Sequence, residues 1–404
     1  MIGTIHLALS GLQGAERGLR VIANNTANLN TPGFKGSTLM FADMYSTSNA
    51  GTGERGLGLA TLGTVLSFQQ GQLQNTGNNL DLAIDGFGLF TIRDRDGNIR
   101  YTRDGQFKFD ANGILVTANT GDQVLAYDGA GALVPVNIST LRLQDAHATE
   151  NVTFSGTLST GMAEVTVQGV TVIDRAGGTH SLTVHFTRVT NSDGTWTGAW
   201  NVRVDGDPAL VDGHTTGELV FNNGRPEEGH SQVRIQLAVP AQDPMEVVLD
   251  FSTNVVSSAM GSSSTIAVGT QDGYGAGILT ATSFDALGRL VLTYSNGQTT
   301  RGDEPQAPPA ARVRLALARF DSLDAVRPVG DNRYESIDDR AWVHGFAGDS
   351  GFGSVRSAVL EMSNVNLSSE FSNLVILQRG YQASSQVVST ANEMLAELFG
   401  MKGK

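Results

Sequence analysis

Histidine and acidic side chains are the residues of this chain that could bind a metal ion, so their spacing decides whether a metal site is expected. His180 and His185 are five residues apart, which places them on opposite faces of a β-strand. The stretch Asp94-Arg95-Asp96-Gly97-Asn98 begins like a calcium-binding loop, but it lacks the full ligand spacing and the closing glutamate. We therefore interpret the histidines as ordinary core or surface residues and the acidic stretch as a hairpin turn, and we predict no metal.

Residues for covalent catalysis or phosphate binding also lack a supporting pattern. The chain has no cysteine, which excludes disulfides, thiolate metal sites and a cysteine nucleophile. No Gly-x-Ser-x-Gly elbow lies at a predicted strand-to-helix turn, and no His-Glu-x-x-His occurs. The glycines from Gly53 to Gly58 neither follow a predicted strand nor precede a predicted helix, so a phosphate cradle is not expected there. The sequence predicts neither an enzyme nor a cofactor-binding protein.

The elements that organise the chain are two terminal segments with seven-residue apolar repeats. At the N-terminus, residues spaced alternately three and four apart are Ile5, Ala8, Leu12, Ala15, Leu19, Ile22, Thr26 and Leu29. All but Thr26 are apolar, and this pattern predicts an amphipathic helix. At the C-terminus one row repeats every seven residues and consists of Leu367, Leu374, Tyr381, Val388 and Leu395. Its predicted neighbouring row contains Phe371 and Phe399 but is partly polar, since it also contains Gln378, Ser385 and Asn392.

These two helices are predicted to pair with each other or with copies of themselves. At 1.5 Å per residue they would be about 39 and 51 Å long, and no comparable helical pattern occurs between residues 35 and 355. A coiled coil between the two terminal helices would bury the apolar row of each. An apolar row left exposed would have to be covered by other subunits. An intramolecular helix pair docked on a β domain is an equally open interpretation.

Asparagines and a helix-stop signal follow the first helix. Asn24, Asn25, Asn28 and Asn30 lead to Thr31-Pro32-Gly33-Phe34-Lys35, where the Pro-Gly pair ends a helix. The asparagine amides can cap backbone groups or bond a neighbouring helix. The glycine-rich stretch from 46 to 64 is predicted to be an irregular, flexible connector.

The centre of the chain is predicted to be β-rich. Asp96-Gly97-Asn98 and Ala111-Asn112-Gly113 separate short alternating runs and predict hairpins, and similar hairpins return near Phe284 and Tyr294. Between these flanking hairpins, residues 146 to 282 are rich in Thr and Val and hold 14 acidic residues against 5 arginines and no lysine. We predict an acidic β sandwich or barrel inserted into an inner β domain.

The predicted fold class is therefore mainly β with terminal α-helices that pair as a coiled coil, and with one β domain inserted into another. The predicted segments are the N-terminal helix at 1–30, a connector at 31–70, the first part of the inner β domain at 71–145, the inserted outer domain at 146–282, the second part of the inner domain at 283–357 and the C-terminal helix at 358–404.

Composition narrows the class of protein further. The net charge is −13, and only 17% of residues are charged, so binding to nucleic acid or to an anionic membrane is not expected. No run approaches 18 apolar residues, and the first residues lack the features of a cleavable signal. These signals alone would place the protein in the cytoplasm.

Three sequence blocks give the chain a resemblance to a known family. They are Ser10-Gly11-Leu12 with Ala23 to Lys35, then Gln70-Gly71-Gln72-Leu73 through Gly77 to Gly88, and finally Leu360 to Leu367 through Gln378 to Gln382. In order and total length these blocks resemble the flagellar axial family of rod, hook and hook-associated proteins. The chain length and the large predicted insert are similar to hook members of that family.

The resemblance implies a structural subunit of a flexible helical tube outside the cell that transmits motor torque. Implied partners are other copies of the chain, rod and hook–filament junction proteins, a hook cap and the flagellar type III export apparatus, which would export the chain without a cleavable signal. The interface is then expected at Ile5, Leu12, Leu19, Ile22, Asn25, Asn28, Leu29, Phe34, Leu367, Phe371, Leu374, Tyr381, Val388 and Leu395. Two alternatives are a rigid distal rod subunit and a secreted β-rich adhesin.

Overall fold

The structure is a computed structural model that describes residues 2–46, 55–240, 242–259 and 263–402. It is mainly β, with helix α1 at Ile2–Ala27 and helix α2 at Leu367–Lys402. The prediction of a mainly β chain with a helix at each end is therefore confirmed. Within the described ranges, neither helix is long and apolar enough to cross a membrane.

Ten strands precede residue 140: β1 Ser37–Ser46, β2 Arg55–Leu66, β3 Leu73–Asn75, β4 Leu82–Asp85, β5 Leu89–Arg93, β6 Ile99–Thr102, β7 Phe107–Phe109, β8 Leu115–Thr117, β9 Gln123–Tyr127 and β10 Leu133–Pro135. Ten more follow: β11 Leu143–Gln144, β12 Asn151–Ser159, β13 Glu164–Ile173, β14 Thr179–Thr190, β15 Trp196–Asp205, β16 Thr216–Asn222, β17 Arg225–Pro226, β18 Gln232–Leu237, β19 Met245–Ser258 and β20 Ala267–Gln271. The last nine are β21 Gly277–Phe284, β22 Leu290–Tyr294, β23 Thr299–Arg301, β24 Arg314–Phe320, β25 Val326–Gly330, β26 Arg333–Ser336, β27 Trp342–Phe346, β28 Ser354–Ser357 and β29 Val359–Glu361.

The chain divides into two compact units. Unit 1 comprises Met1–Thr140, Thr282–Leu292 and Thr300–Lys404, and unit 2 comprises Leu141–Ala281 and Thr293–Thr299. Both helices therefore belong to unit 1.

The main sheet of unit 1 has the strand order β25-β26-β6-β5-β24-β9-β8-β7. Its core strands are short apolar runs, and the side chains of Phe90, Ile92 and Leu317 are fully buried. Asp94 closes the β5–β6 turn because its Oδ1 accepts from the backbone N–H groups of Asp96 at 3.0 Å and Asn98 at 2.8 Å. The interpretation of this acidic stretch as a hairpin turn is confirmed.

The segment after α1 differs from the predicted irregular connector. Strands β1 and β2 pair antiparallel from Ser37 opposite Leu66 to Ser46 opposite Arg55, so that prediction is wrong for residue 46 and for residues 55–64. Glycines do not prevent pairing in an extended ribbon, and Gly58 and Gly63 lie in β2 at positive φ where a side chain would be strained. The predicted connector residues 47–54 lie outside the described part of the chain.

Unit 2 contains two sheets that share one core. One sheet has the order β13-β14-β15-β16-β17 and the other β18-β19-β12-β20. Their inward-facing residues alternate along the strands, and the rings of Phe154 and Phe251 stack with centroids 4.6 Å apart. The fully buried Trp200 donates from Nε1 to Ser257 Oγ at 3.1 Å, so its one polar atom is satisfied.

Candidate functional site

One face of α1 is buried, and small residues make up much of it. Ala8, Ala15 and Ile22 of the predicted rows are buried, whereas Ile5, Leu12 and Leu19 are half-buried. A second face meets the β1–β2 ribbon, where the Leu59 backbone N–H donates to Ser10 Oγ at 3.1 Å. Gly14 lies buried on this side, and a Cβ added to it would lie 2.5 Å from Leu59 Cδ2. The helix is therefore held on two sides by its own chain.

Helix α1 packs antiparallel against α2, and the register follows from three contacts. A Cβ built on Gly11 would lie 2.8 Å from Ser384 Oγ, and one built on Gly18 would lie 2.6 Å from Leu377 Cδ1. Asn25 Nδ2 donates to Glu370 Oε1 at 2.9 Å. Each step of seven residues forward along α1 is matched by seven residues back along α2, which is the heptad spacing of paired helices.

The face of α2 that meets α1 agrees only in part with the predicted rows. Leu374, Val388 and Leu395 of the first predicted row are half-buried, while Leu367 and Tyr381 are exposed. The row beside it on the contact face is not the one that contains Phe371 and Phe399, which are both exposed. The observed second row consists of Glu370, Leu377, Ser384 and Ala391.

This second row was missed because it is mostly small or polar. Ser384, opposite Gly11, is small and allows close approach of the backbones, whereas Leu377 fills the space beside Gly18. A row with one large apolar member in four has little apolar signal. The signal available in the sequence was the seven-residue spacing of Gly11 and Gly18.

Asparagine side chains at the end of α1 form specific bonds. Asn25 is 2% exposed, and its Oδ1 accepts from the Ser37 N–H at 3.0 Å while its Nδ2 also donates to the Ser37 carbonyl at 2.8 Å. It therefore fixes the start of β1 against both helices. Asn28 Nδ2 instead donates to the Asn24 carbonyl at 2.9 Å, so its bond is local. Leu29 and Phe34 are half-buried.

A buried ion triad joins the segments that lead to and from the helices, and we call it the junction triad: Lys35, Arg103 and Glu361. Glu361 Oε1 lies 2.6 Å from Lys35 Nζ, and Glu361 Oε2 lies 2.6 Å from Arg103 Nε. The three residues are 3%, 5% and 2% exposed, respectively. Buried charges require this degree of pairing.

Backbone groups complete the hydrogen bonding of the junction triad. Glu361 Oε1 also accepts from the Gly71 N–H at 2.9 Å, and Lys35 Nζ donates to the Gln69 carbonyl at 2.8 Å. Burial disfavours the charged form of Glu361, but Arg103, Lys35 and the Gly71 N–H outweigh it and lower its pKa. The stabilising contribution of this carboxylate is therefore present at neutral pH and is lost as the pH falls through its lowered pKa.

Arg103 extends the junction triad into the β4–β5 turn. Its Nη2 donates to the carbonyls of Ile84 at 2.7 Å and Gly86 at 2.6 Å, and its Nη1 donates to that of Gly88. Gly86 and Gly88 have φ of 112° and 135°, a region that favours glycine. The turn can therefore wrap around the guanidinium.

Much of the exposed surface of α2 is apolar. It exposes large apolar side chains along most of its length, namely Leu367, Phe371, Val375, Ile376, Tyr381, Val387, Met394, Leu398, Phe399 and Met401. Among the residues that the structure describes, no group of three or more His, Cys, Asp or Glu side chains could hold a metal ion. The arrangement is suited to packing against other chains.

Family models match most of the chain in consecutive stretches. They are described as a flagella basal body rod protein at residues 5–35, a flagellar hook protein FlgE/F/G D1 domain at 83–161, a flagellar basal body protein FlaE D2 domain at 164–274, and the flagellar basal body rod FlgEFG protein C-terminal region at 356–401.

Relatives that match over the full length share the name flagellar hook protein FlgE. The chain is 31% identical to the flagellar hook protein FlgE of Escherichia coli K12, covering 98% of this chain and 99% of that protein. It is 28% identical to FlgE of Borreliella burgdorferi, with full coverage of both chains. The crystal structure of Helicobacter pylori FlgE2 is similar in fold, with a TM-score of 0.52 and 13% identity over 72% of this chain and 100% of that one.

Proposed function

The chain belongs to the flagellar hook protein family, and from this premise we propose that its copies polymerise into the flexible helical tube that transmits motor torque to the filament. The observation that carries the proposal is the 31% identity over 98% of the chain to a protein named as a hook protein. The family is structural rather than enzymatic, so the function lies in contacts between subunits.

In the proposed assembly the helices α1 and α2 form a coiled-coil inner layer. The support is the heptad-matched antiparallel contact through Gly11, Gly18 and Asn25, together with the apolar outer face of α2. Burying the exposed apolar side chains of α2 between copies would favour association, because burial of apolar area is favourable by about 25 cal/mol per Å². Of the fourteen positions predicted at the subunit interface, Ile22 and Asn25 are buried within the single chain, and we propose that these two hold the helix pair together while the other twelve contribute to contacts between subunits.

The β domains are proposed to lie outside the helical layer, with residues 146–282 as an inserted outer domain. Support comes from the compactness of unit 2, from its own buried core and from the excess of acidic over basic residues in its sequence. Outer domains that carry like charge and pack only weakly against one another can slide, while the helical layer keeps the subunits together.

Partners and location follow from family membership. We propose contacts with rod and hook–filament junction proteins at the tube ends, assembly under a hook cap, and export through the flagellar type III apparatus to the cell exterior without a cleavable signal. A rod subunit is the second candidate, since the models that match residues 5–35 and 356–401 are described as rod proteins. The D2-domain match at 164–274 and the full-length relatives favour the hook.

Electron microscopy of the purified full-length chain under polymerising conditions tests this function. We expect tubes that curve, because a hook must bend as it turns. Straight, uniform tubes would favour the rod candidate. A chain that stays monomeric across protein concentrations and salts would contradict both and leave a binding module such as an adhesin.

A further inference from the structure

The two outward surfaces of unit 2 differ in charge, and the difference begins in the sequence. Residues 151–163 and 251–271 contain no charged side chain, although residues 146–282 as a whole hold 14 acidic residues and 5 arginines. The first of these runs forms β12, and the second contains the end of β19 and all of β20. Because β12 lies between β19 and β20 in the sheet β18-β19-β12-β20, the runs without charge meet side by side.

An uncharged patch therefore lies on the outward face of this sheet, and we define it by Ser155, Thr157, Asn254, Val256 and Ala267. Ser155 is opposite Asn254 of β19 and opposite Ala267 of β20, and Thr157 is opposite Val256. Asn254 and Ala267 are exposed, Val256 is 43% exposed, and the two hydroxyl residues are half-buried. These residues alternate with buried neighbours along β12 and β19, so their side chains point away from the core.

The outward face of the other sheet, β13-β14-β15-β16-β17, is charged. We call it the charged face and define it by Glu164, His185, Arg203, Asp205 and Glu218. His185 lies 3.3 Å from Glu164 Oε1 and 3.2 Å from Asp205 Oδ1, and Arg203 lies 3.0 Å from Asp205 Oδ2. Three carboxylates against one arginine give this face an excess of hydrogen-bond acceptors. Because the two sheets share one core, the uncharged patch and the charged face point in opposite directions.

Contacts between neighbouring copies in a helical tube require two different surfaces. Such copies meet head to tail, so one surface of a subunit contacts a different surface of the next subunit. If both surfaces were acidic, they would repel each other. A surface of hydroxyl and amide groups avoids this repulsion, because Ser, Thr and Asn side chains can donate hydrogen bonds to carboxylates.

We propose that the uncharged patch of one copy receives the charged face of a neighbouring copy, so that the unit 2 domains stack head to tail along the proposed tube. This inference rests on the proposed polymerisation and names the surfaces that meet in it. The patch offers one aliphatic side chain, Val256, and otherwise hydroxyl and amide donors, so the contact is weak. Hydroxyl groups rotate to suit a new acceptor, and the bonds can therefore re-form when neighbouring domains shift.

Cysteine crosslinking in assembled tubes tests which surfaces meet. The chain has no cysteine. Asn254 lies in the uncharged patch, Asn201 lies opposite Glu218 on the charged face, and both are exposed. Chains that carry Asn254→Cys together with Asn201→Cys are polymerised and treated with a short bismaleimide. The two cysteines of one chain lie on opposite sides of unit 2, so the reagent links different copies only.

We expect the chain with both cysteines to give a ladder of dimers, trimers and longer species on a denaturing gel, because each copy is linked on two sides. Tubes of either single variant should give almost no dimer, since neither surface meets itself. Tubes that contain a mixture of the two single variants should give dimers without longer species.

Charge introduced into the uncharged patch provides a second measurement. Val256→Asp should reduce the ladder of the two-cysteine chain by about fivefold at low salt, the effect of two like charges about 4 Å apart in water. The matched control is Val256→Asn, which has the size of aspartate without its charge and should keep the ladder. The reduction should shrink at about 1 M salt, where charges are screened beyond about 3 Å, whereas damage to the fold of unit 2 would persist.

Dimers from a single variant at the yield of the two-cysteine chain would overturn the proposal, because they would show that like surfaces meet. Tubes without a ladder would also overturn it, since the patch would then be free or covered by another protein, while the proposed function would stand. Equal losses from Val256→Asp and Val256→Asn would contradict the role of charge. A chain that forms no tubes would instead contradict the proposed function, and this inference with it.

Discussion

Asn25 shows how much one amide contributes at the end of α1, where its side chain bonds both backbone groups of Ser37 and the carboxylate of Glu370. Asn25→Ala should lower the free energy of unfolding of unit 1 by roughly 1–3 kcal/mol, because it leaves two partly buried backbone groups and a carboxylate without the bonds to Asn25. Chemical denaturation measures this. Asn24→Ala is the matched control at an exposed position and should change stability by under about 0.5 kcal/mol; equal losses from both variants would contradict the account.

His180 of unit 2 lies between two carboxylates, with Nε2 3.2 Å from Asp174 Oδ2 and Nδ1 3.1 Å from Asp207 Oδ2. Burial lowers its pKa, but the bonds to Asp174 and Asp207 outweigh burial, so its pKa is raised above 6.5. Its contribution to stability is therefore complete below pH 6.5 and is lost as the pH rises through the raised value.

The corresponding prediction compares thermal unfolding of the native chain and of His180→Gln across pH. The difference in Tm should be largest below pH 6.5 and should shrink as the pH rises through the raised pKa of His180. His230→Gln is the control, because that residue is exposed. A difference that grows with pH would show that the neutral imidazole is the stabilising form.

Some of these residue roles could be predicted from the sequence and others could not. The asparagines after residue 23 were predicted to cap backbone or to bond a neighbouring helix, and Asn28 and Asn25 do these two things. The junction triad was not predicted as a site. Its partners are separated by 326 and 258 positions, and a single charged residue carries no local pattern that identifies a distant partner.

At the scale of elements, the register of α1 against α2 gives a direct test. A Cβ on Gly11 would lie 3.7 Å from the Cβ of Ser384, within the range of about 3.5–4.5 Å found in disulfides. Gly11→Cys with Ser384→Cys should form an intramolecular disulfide under mild oxidation, since the chain has no other cysteine. After proteolytic cleavage between the two cysteines, the linked fragments should migrate together on a non-reducing gel and separately on a reducing one.

The control for this crosslink moves one cysteine along α2. Gly380 has nothing within 4 Å of an added Cβ, so Gly11→Cys with Gly380→Cys should remain reduced. Rapid crosslinking of the control pair, or none in the first pair, would show that the register is wrong.

Charge on the outer face of α2 separates folding from assembly. Phe371 is 53% exposed in the single chain, so Phe371→Asp should leave the unfolding of the monomer nearly unchanged. It should nevertheless block polymerisation if this face is buried between copies, because an unpaired charge in a packed seam is unfavourable by several kcal/mol. Sedimentation and microscopy measure assembly. The control is Ser389→Asp, at an exposed position that is already polar. Normal tubes from Phe371→Asp would show that this face of α2 is not buried between copies.

The elements themselves were predictable where periodicity was strong and less so elsewhere. Both helices and the hairpins at Asp94 and Asn112 follow from their patterns. The β1–β2 ribbon was not predicted. Its glycines indicate a flexible segment, whereas its strands form because they pair with each other. The second row of α2 was missed because three of its four residues are polar or small.

At the scale of the whole molecule, the chain enters and leaves unit 2 side by side. Leu143 pairs with Ile278, and Gln144 pairs with Gly277. Replacing the residues between Gln144 and Gly277 by a short Gly/Ser link should therefore leave unit 1 folded and able to polymerise, but with altered bending. Electron microscopy of the deletion polymer measures curvature; a soluble, folded deletion chain that cannot assemble would contradict the proposed outer role of this segment.

The antiparallel register also leaves the two helices with unequal ends. Continued in steps of seven, it places Thr4 beside Ala391, and both residues line the same groove. Helix α1 is described from Ile2 and helix α2 to Lys402, so within the described residues the last turns of α2 run roughly 13 Å beyond the start of α1 at 1.5 Å per residue, and Phe399 there is 73% exposed. In the proposed tube, this stretch of α2 would give each subunit a direction and would leave the last subunits of the tube with uncovered apolar helix ends. A growing end therefore differs in free energy from the wall of the tube, so growth without a covering protein should be prone to end-to-end joining.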